Sequence, residues 1–272
     1  MTLSATDYRR ALGQTEAELV LGLAERRKAV FTTDDARALL GTSAKEALRG
    51  LVKKKWVLRL KRGLFVVVPL DLGMKGSDAL VMHEYIVAAL LTKKYYIGYW
   101  SALNYHGLTD QIPRTTFVAT TEAKHSVQIL DSPFRFVKIS SQKFFGWREY
   151  EVSEHKVYLS DPEKTVADCL DHPEYCGGIE QIARAVYFYS DEFSIPGVVD
   201  AAKRMGNRSI IKRLGYILDI LGLIGDYGSS FVDFKPSEGY VKLDALSPPI
   251  GKYNERWKLL VNYHLDPEAW MY

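Results

Sequence analysis

The sequence predicts an α+β protein: an N-terminal winged helix-turn-helix followed by a larger mixed α/β domain with a small sheet and several helices. Three observations carry that prediction. Helix-period apolar spacing gives way to two β-favouring runs within the first 70 residues, short β-favouring segments fill residues 114–159, and helical spacing returns after Pro162. At 272 residues the chain exceeds one average domain and suits two. The expected division is a first domain at 1–70, a Gly-containing linker at 71–77 and a second domain at 78–272.

In the first domain, Thr15 is expected to cap a helix over residues 16–28 with Leu19, Val20 and Leu23 on one stripe. Thr32 and Thr33 offer the next cap, Asp34 and Asp35 suit the positive helix start, and Gly41 ends a short second helix. Ser43 is expected to cap a third helix, in which Ala44, Ala47, Leu48, Leu51 and Val52 repeat at the spacing of a buried face. Its opposite face holds Lys45, Glu46, Arg49 and Lys53, the arrangement of a recognition helix. Residues 57–60 and 64–68 then form a hairpin around Lys61-Arg62-Gly63, with Gly63 able to take a positive φ, and this is the wing. A basic helix face or a basic turn alone is matched by ordinary solvated surface. Their order within 70 residues points to DNA, with Thr42, Ser43, Lys45, Glu46, Arg49, Lys53, Arg59, Lys61 and Arg62 as the candidate contacts.

In the second domain a helix is expected over 78–92, a strand over 95–97 and a helix ending at Tyr105. Strands follow at 115–120, 127–130, 134–139, 149–152 and 156–159, then helices at 162–170, 178–189, 195–204 and 209–221. Closing strands are expected at 240–243 and 257–262. Lys203, Lys212 and Arg213, flanking an apolar stripe, are expected to be exposed and form a candidate surface for RNA, nucleotide or a protein partner; a solvated helix face is the plainer reading.

Residues 1–70 hold 14 Lys and Arg against 7 Asp and Glu, a net +7, whereas the remainder holds 22 against 26, a net −4. A basic domain joined to a mildly acidic one implies a polyanion as partner of the first. Residues 1–10 carry Asp7, Arg9 and Arg10 and lack a signal-peptide core. The apolar runs at 86–91 and 217–224, the second broken by Asp219, fall far short of the roughly 20 residues that span a bilayer. With two cysteines besides, a soluble cytoplasmic chain with no membrane partner is expected.

Catalytic chemistry finds little support. Cys169, His172 and Cys176 lack the paired spacing of zinc ligands, so no metal and no cofactor is expected. Asp161, Glu163 and Lys164 match the residue types of some metal-dependent nucleases, but they also suit a helix start in which Asp161 is the cap and Glu163 lies in the first turn. The remaining histidines are scattered, phosphate-loop glycine patterns are absent, and the chain is not expected to be an enzyme.

Four segments carry a resemblance. Residues Lys61-Arg62-Gly63-Leu64-Phe65, the run Tyr96-Ile97-Gly98-Tyr99-Trp100-Ser101-Ala102-Leu103-Asn104-Tyr105-His106-Gly107-Leu108, Asp161-Pro162-Glu163-Lys164-Thr165 with Asp168, and Arg213-Leu214-Gly215-Tyr216-Ile217-Leu218 occur in an order that resembles the AbiEi-type family of abortive-infection antitoxins and transcriptional regulators. The resemblance implies autorepression through the winged helix at inverted repeats in the operon's own promoter. It also implies neutralisation of a nucleotidyltransferase-like toxin by the second domain, without requiring a stable complex. The alternative is a stand-alone winged-helix regulator whose second domain senses a small molecule, which needs an enclosed apolar pocket with convergent polar groups. A DNA-processing enzyme would need clustered carboxylates with metal.

Overall fold

Gly13 rather than Thr15 begins helix α1, Gln14–Glu25, because the Glu16 carboxylate reaches back to accept a hydrogen bond from the Gly13 amide at 2.7 Å. The computed structural model describes residues 9–232 and 234–270. Residues 1–8, with Asp7 of the charged opening stretch, and 271–272 of the expected second domain lie outside the described residues. The chain divides into two compact units, the first ending at His83 and the second beginning at Glu84.

In the first unit, strand β1, Val30–Thr32, precedes helix α2, Thr33–Leu40. Thr32 caps α2 as expected, its hydroxyl accepting from the Asp35 amide. The Asp35 carboxylate in turn accepts from Lys28 at 2.5 Å and from the Thr32 amide at 2.7 Å. Those partners, Lys28 foremost, hold its pKa down to about 2. Gly41 takes a positive φ of 57° and starts a 3-10 turn through Ser43 that runs directly into α3, Ala44–Lys53. Ser43 is therefore already helical and its side chain makes no cap hydrogen bond, which corrects the expected cap. Strands β2, Val57–Lys61, and β3, Leu64–Val67, form the wing, and β3 also pairs antiparallel with β1. Leu19, Leu23, Phe31, Ala36, Leu48, Leu51 and Phe65 fill the core between helices and sheet.

The segment expected as a linker, 71–77, lies within the 3-10 turns of Leu70–Ala79, held against the first unit. Gly73 and Gly76, at φ 56° and 58°, turn the chain back, so that the Ser77 amide donates to the Lys55 carbonyl at 3.2 Å and the Arg9 amide to the Met74 carbonyl at 2.6 Å. The 3-10 turns run through Ala79, and the helix expected from residue 78 begins only at Glu84.

The second unit opens with α4, Glu84–Leu91, β4, Tyr95–Ile97, and α5, Tyr99–Tyr105. Strands β5, Thr116–Thr120, β6, Val127–Ile129, β7, Ser132–Lys138, β8, Trp147–Val152, and β9, His155–Ser160, complete a mixed six-stranded sheet in the order β6-β7-β5-β4-β9-β8. Helices α6, Pro162–Asp171, α7, Ile179–Tyr189, α8, Ile195–Met205, and α9, Arg208–Ile220, follow. A smaller sheet of β10, Val241–Lys242, β11, Lys252–Asn254, and β12, Leu259–Val261, is ordered β10-β12-β11. This is the expected α+β class. Gly215 of α9 lies beneath the Trp257 ring, where a Cβ would stand 2.2 Å from the nearest ring carbons. Only glycine lets the helix and the indole approach this closely.

Helix α6 is buried on every side from Lys164 to Asp171. Lys164 forms an ion pair with Asp168 one turn later, the two side chains each about 1% exposed, and Tyr96 bridges them, accepting from the Lys164 ammonium at 3.0 Å and donating to Asp168 at 2.9 Å. Burial pushes the Asp168 carboxyl upward, and Lys164 opposes the shift. Removing one member leaves a buried charge without its counterion, so Lys164→Met is expected to destabilise the second unit by about 3–5 kcal/mol in urea unfolding. Adding Asp168→Leu should recover much of that loss, and a double variant no more stable than the single one would show that the pair is not the cause.

Candidate nucleic-acid interface

Burial fixes the rotation of α3. Ala44, Ala47, Leu48 and Leu51 face the core, and Lys45, Arg49 and Lys53 emerge from the opposite side one turn apart. The β2–β3 hairpin then lays Arg59 and Arg62 alongside that stripe. The five cations line a single groove of about 470 Å³. Its apolar floor is Leu48, Val52 and Phe65, and Thr33 and Gly63 close one end.

The wing is anchored to α2 at that end. Gly63 takes φ 79° at the turn, and its carbonyl accepts a hydrogen bond from the Thr33 amide at 3.0 Å. Arg59 runs along the hairpin, with Nε donating to the Lys61 carbonyl at 3.4 Å. Behind the groove, Phe31 stacks on Phe65 with ring centroids 5.6 Å apart and ties the hairpin to β1.

Several other cations of the first unit are paired or enclosed, although Arg10, Arg26, Arg27 and Lys75 are exposed with no ion pair among the described residues. Lys28 pairs with Asp35, Arg37 with Asp34, Lys54 with Glu16 and Lys55 with Asp78. The buried Arg9 donates to the Val68 and Pro69 carbonyls and lies 4.3 Å from the Trp56 ring centroid. Among the described residues no carboxylate pairs with Lys45, Arg49, Lys53, Arg59 or Arg62. Their charges are left to solvent or to a partner.

All nine residues singled out in the sequence are exposed, but the groove gathers only five of them. Thr42, Ser43, Glu46 and Lys61 do not line it. Thr33, which does, suits only a helix cap by sequence; the amide bond across to Gly63 that places it there has no sequence signal.

In the second unit the expected basic surface is corrected. Lys203 is exposed, 3.8 Å from Asp200. Lys212 is fully buried, its ammonium donating to the carbonyls of Ser237 at 3.0 Å and Gly239 at 2.6 Å. Arg213 is also buried, its guanidinium donating to the carbonyls of Leu170, Asp171, Lys242 and Leu243. Helix α9 has neighbours on both flanks, so a charged face does not imply solvent there. Asp161 caps α6 by accepting from the Lys164 amide at 2.9 Å, as expected of a helix start. Cys169 and Cys176 are buried, and burial pushes both thiols upward. Among the described residues no three His, Cys, Asp or Glu side chains are grouped so as to hold a metal ion. Among the described residues no helix is long and apolar enough to cross a membrane.

The α1-β1-α2-α3-β2-β3 order, with a cationic groove between the third helix and the hairpin, defines a protein of the winged-helix class. Residues 18–68 match the family model described as transcriptional regulator, AbiEi antitoxin, which is the family whose resemblance the sequence carries. No curated protein matches the chain. The crystal structure of the RV2827C protein from Mycobacterium tuberculosis is similar in fold, with a TM-score of 0.68 at 16% identity over 95% of this chain and 94% of that one.

Because Gly63 alone provides the left-handed turn that ends on Thr33, Gly63→Val is expected to cost the wing about 1–2 kcal/mol. Hydrogen exchange of the Thr33 amide should then speed up about tenfold or more. An unchanged rate would mean that the wing is not anchored through this bond.

Proposed function

We propose that this chain is a DNA-binding transcriptional repressor of its own operon and the antitoxin of a type IV abortive-infection toxin–antitoxin system. The observation that carries the DNA-binding part is the groove whose five cations have no carboxylate partner. DNA presents one phosphate charge about every 1.7 Å of duplex, and Lys and Arg side chains that release its counterions supply the affinity. In this reading α3 enters the major groove, Arg49 at mid-stripe reads a base edge, Lys45 and Lys53 hold phosphates, and Arg59 and Arg62 on the hairpin fix the register. Thr42, Ser43, Glu46 and Lys61 lie at the margins of the contact. The target is an inverted-repeat operator. The antitoxin part rests on the family match over residues 18–68. Its counterpart is a nucleotidyltransferase-like toxin encoded alongside, met in the cytoplasm and counteracted with or without a lasting complex.

Two titrations against the chain's own promoter DNA test the groove. Arg49→Ala should weaken binding by about 1–3 kcal/mol and relax the preference at one position of the site. Arg59→Ala with Arg62→Ala should flatten the dependence of log affinity on log salt by roughly one or two units per bound winged helix. Variants with wild-type affinity and slope would remove the groove from DNA recognition.

Co-expression with the adjacent toxin tests the second activity. An Arg49→Ala, Lys53→Ala chain should fail to repress the promoter yet still protect cells from the toxin supplied from an independent promoter. Loss of protection in a folded variant of this kind would tie neutralisation to the groove and reject two separate activities.

A further inference from the structure

The second unit contains a larger cleft than the winged helix does, about 670 Å³, within the range of small-molecule sites. It opens where α8 ends and α9 begins. Gly206, left-handed at φ 71°, ends α8 with its amide shared between the Ala202 and Lys203 carbonyls, and Asn207 then caps α9 through the Ser209 amide at 3.0 Å. Asn207 is held from behind by Asp171, which also takes Lys143 at 2.5 Å. The turn is thus braced, and it places Arg208 at the mouth.

The facing wall is a loop that α9 itself positions. Buried Lys212 holds the Ser237 and Gly239 carbonyls, and Phe234 lies nearly parallel to Trp257, with ring centroids 6.4 Å apart and planes 24° apart. Phe234 therefore presents an aromatic surface to the cleft beside Ala202 and Ile211, while Lys235 stands next to it. Lys203, Arg208 and Lys235 all line the cleft. Among the described residues neither Arg208 nor Lys235 has a carboxylate in ion-pair range, and the ion pair that reaches the site is the long Lys203–Asp200 contact. The positive field is felt nearby: Lys212 is pushed below its ordinary range by burial first, and then by the like charges of Arg208 and Lys258.

Three cations around one cleft with an aromatic wall match one ligand chemistry, a phosphate chain carrying a flat ring. Arg binds phosphate through a planar fork, Lys adds point charges, and an aromatic face accepts a base of any identity by stacking. We infer that the cleft between the α8–α9 turn and the loop at residues 234–239 binds a free nucleoside triphosphate, with the phosphates among Arg208, Lys235 and Lys203 and the base against Phe234. This ligand is separate from DNA, and the site shares no residue with the groove of the first unit.

The test is calorimetric titration of the full chain with ATP, GTP and inorganic tripolyphosphate at low salt. Saturable one-to-one binding of ATP or GTP is expected. Arg208→Ala with Lys235→Ala, both exposed positions, should weaken it at least about tenfold. Phe234→Leu, which keeps the apolar volume and removes the ring, should weaken nucleotide and leave tripolyphosphate unchanged. Hydrogen exchange with ATP present should slow at the α8–α9 turn and the 234–239 loop. Absence of saturable binding, an affinity indifferent to the double variant, or slowing confined to α3 and the wing would each overturn the site. Tripolyphosphate bound as tightly as nucleotide would overturn the stacking wall. Tighter binding of a 5′-triphosphorylated RNA than of the free nucleotide would overturn the choice of ligand. None of these outcomes depends on whether the first unit binds DNA.

Discussion

The constraint on which the candidate interface depends is the fixed rotation of α3. Four apolar side chains, Ala44, Ala47, Leu48 and Leu51, are buried against α1, α2 and the sheet, and each helical turn of burial dictates where the opposite side chains emerge. Turning the helix by one residue to move Arg49 would drive Lys45 or Glu46 into the core. The small residues Ala44 and Ala47 bring the helix close to its neighbours. The cation stripe is thus a by-product of packing, placed rigidly without any contact of its own.

The hairpin makes this stripe into a groove. Strand β3 is the central strand of its sheet, paired with β2 in the wing and with β1 between the first two helices. One strand therefore transmits the position of the helical core to Arg59 and Arg62, and the Phe31–Phe65 stack and the Thr33–Gly63 bond both secure its N-terminal end. The second unit uses a different device. Its central helix α6 carries a buried ion pair with a tyrosine bridge, and α9 buries two further cations against carbonyl oxygens. Such groups add directional requirements that apolar contacts lack: Arg213 must meet the end of α6 and the start of the small sheet at once, which sets where α9 lies between them.

Periodicity made most of this legible. The helices at 33–40, 44–53, 162–171, 179–189, 195–205 and 208–220, and all six strands of the large sheet, follow from apolar spacing and turn residues, and Gly63 announces the wing. What periodicity misses is local competition and tertiary closure. Gly13 caps α1 in place of Thr15 because Glu16 supplies the return hydrogen bond, and Ser43 loses its capping role to a 3-10 turn that starts at Gly41. Strand β1 has three residues, too short for an alternating pattern, and exists because β3 offers it a partner. The 71–77 stretch reads as a linker by its glycines, yet the same glycines fold it back onto Lys55. On the candidate interface the sequence yields the cations but cannot select the five of nine that converge.

The sharpest limit concerns charge. Arg49 and Arg213 look alike in sequence: each stands on an amphipathic helix beside an apolar stripe with a second basic residue nearby. A single-stripe reading assumes that the polar face meets water, which holds for α3 and fails for α9, where the carbonyls of four residues accept from the Arg213 guanidinium. A buried cation that finds enough acceptors has no unmet interaction to offer, since its desolvation is already compensated within the fold. An exposed cation without a counterion costs nothing to leave in water and gains when an anion arrives and releases its condensed ions. The unpaired charges, rather than the number of charges, are therefore the ones with an interaction left to offer. The groove beside α3 and the cleft at the start of α9 are two places where cations without a carboxylate partner gather around one cavity, although the second unit as a whole is the more acidic part of the sequence.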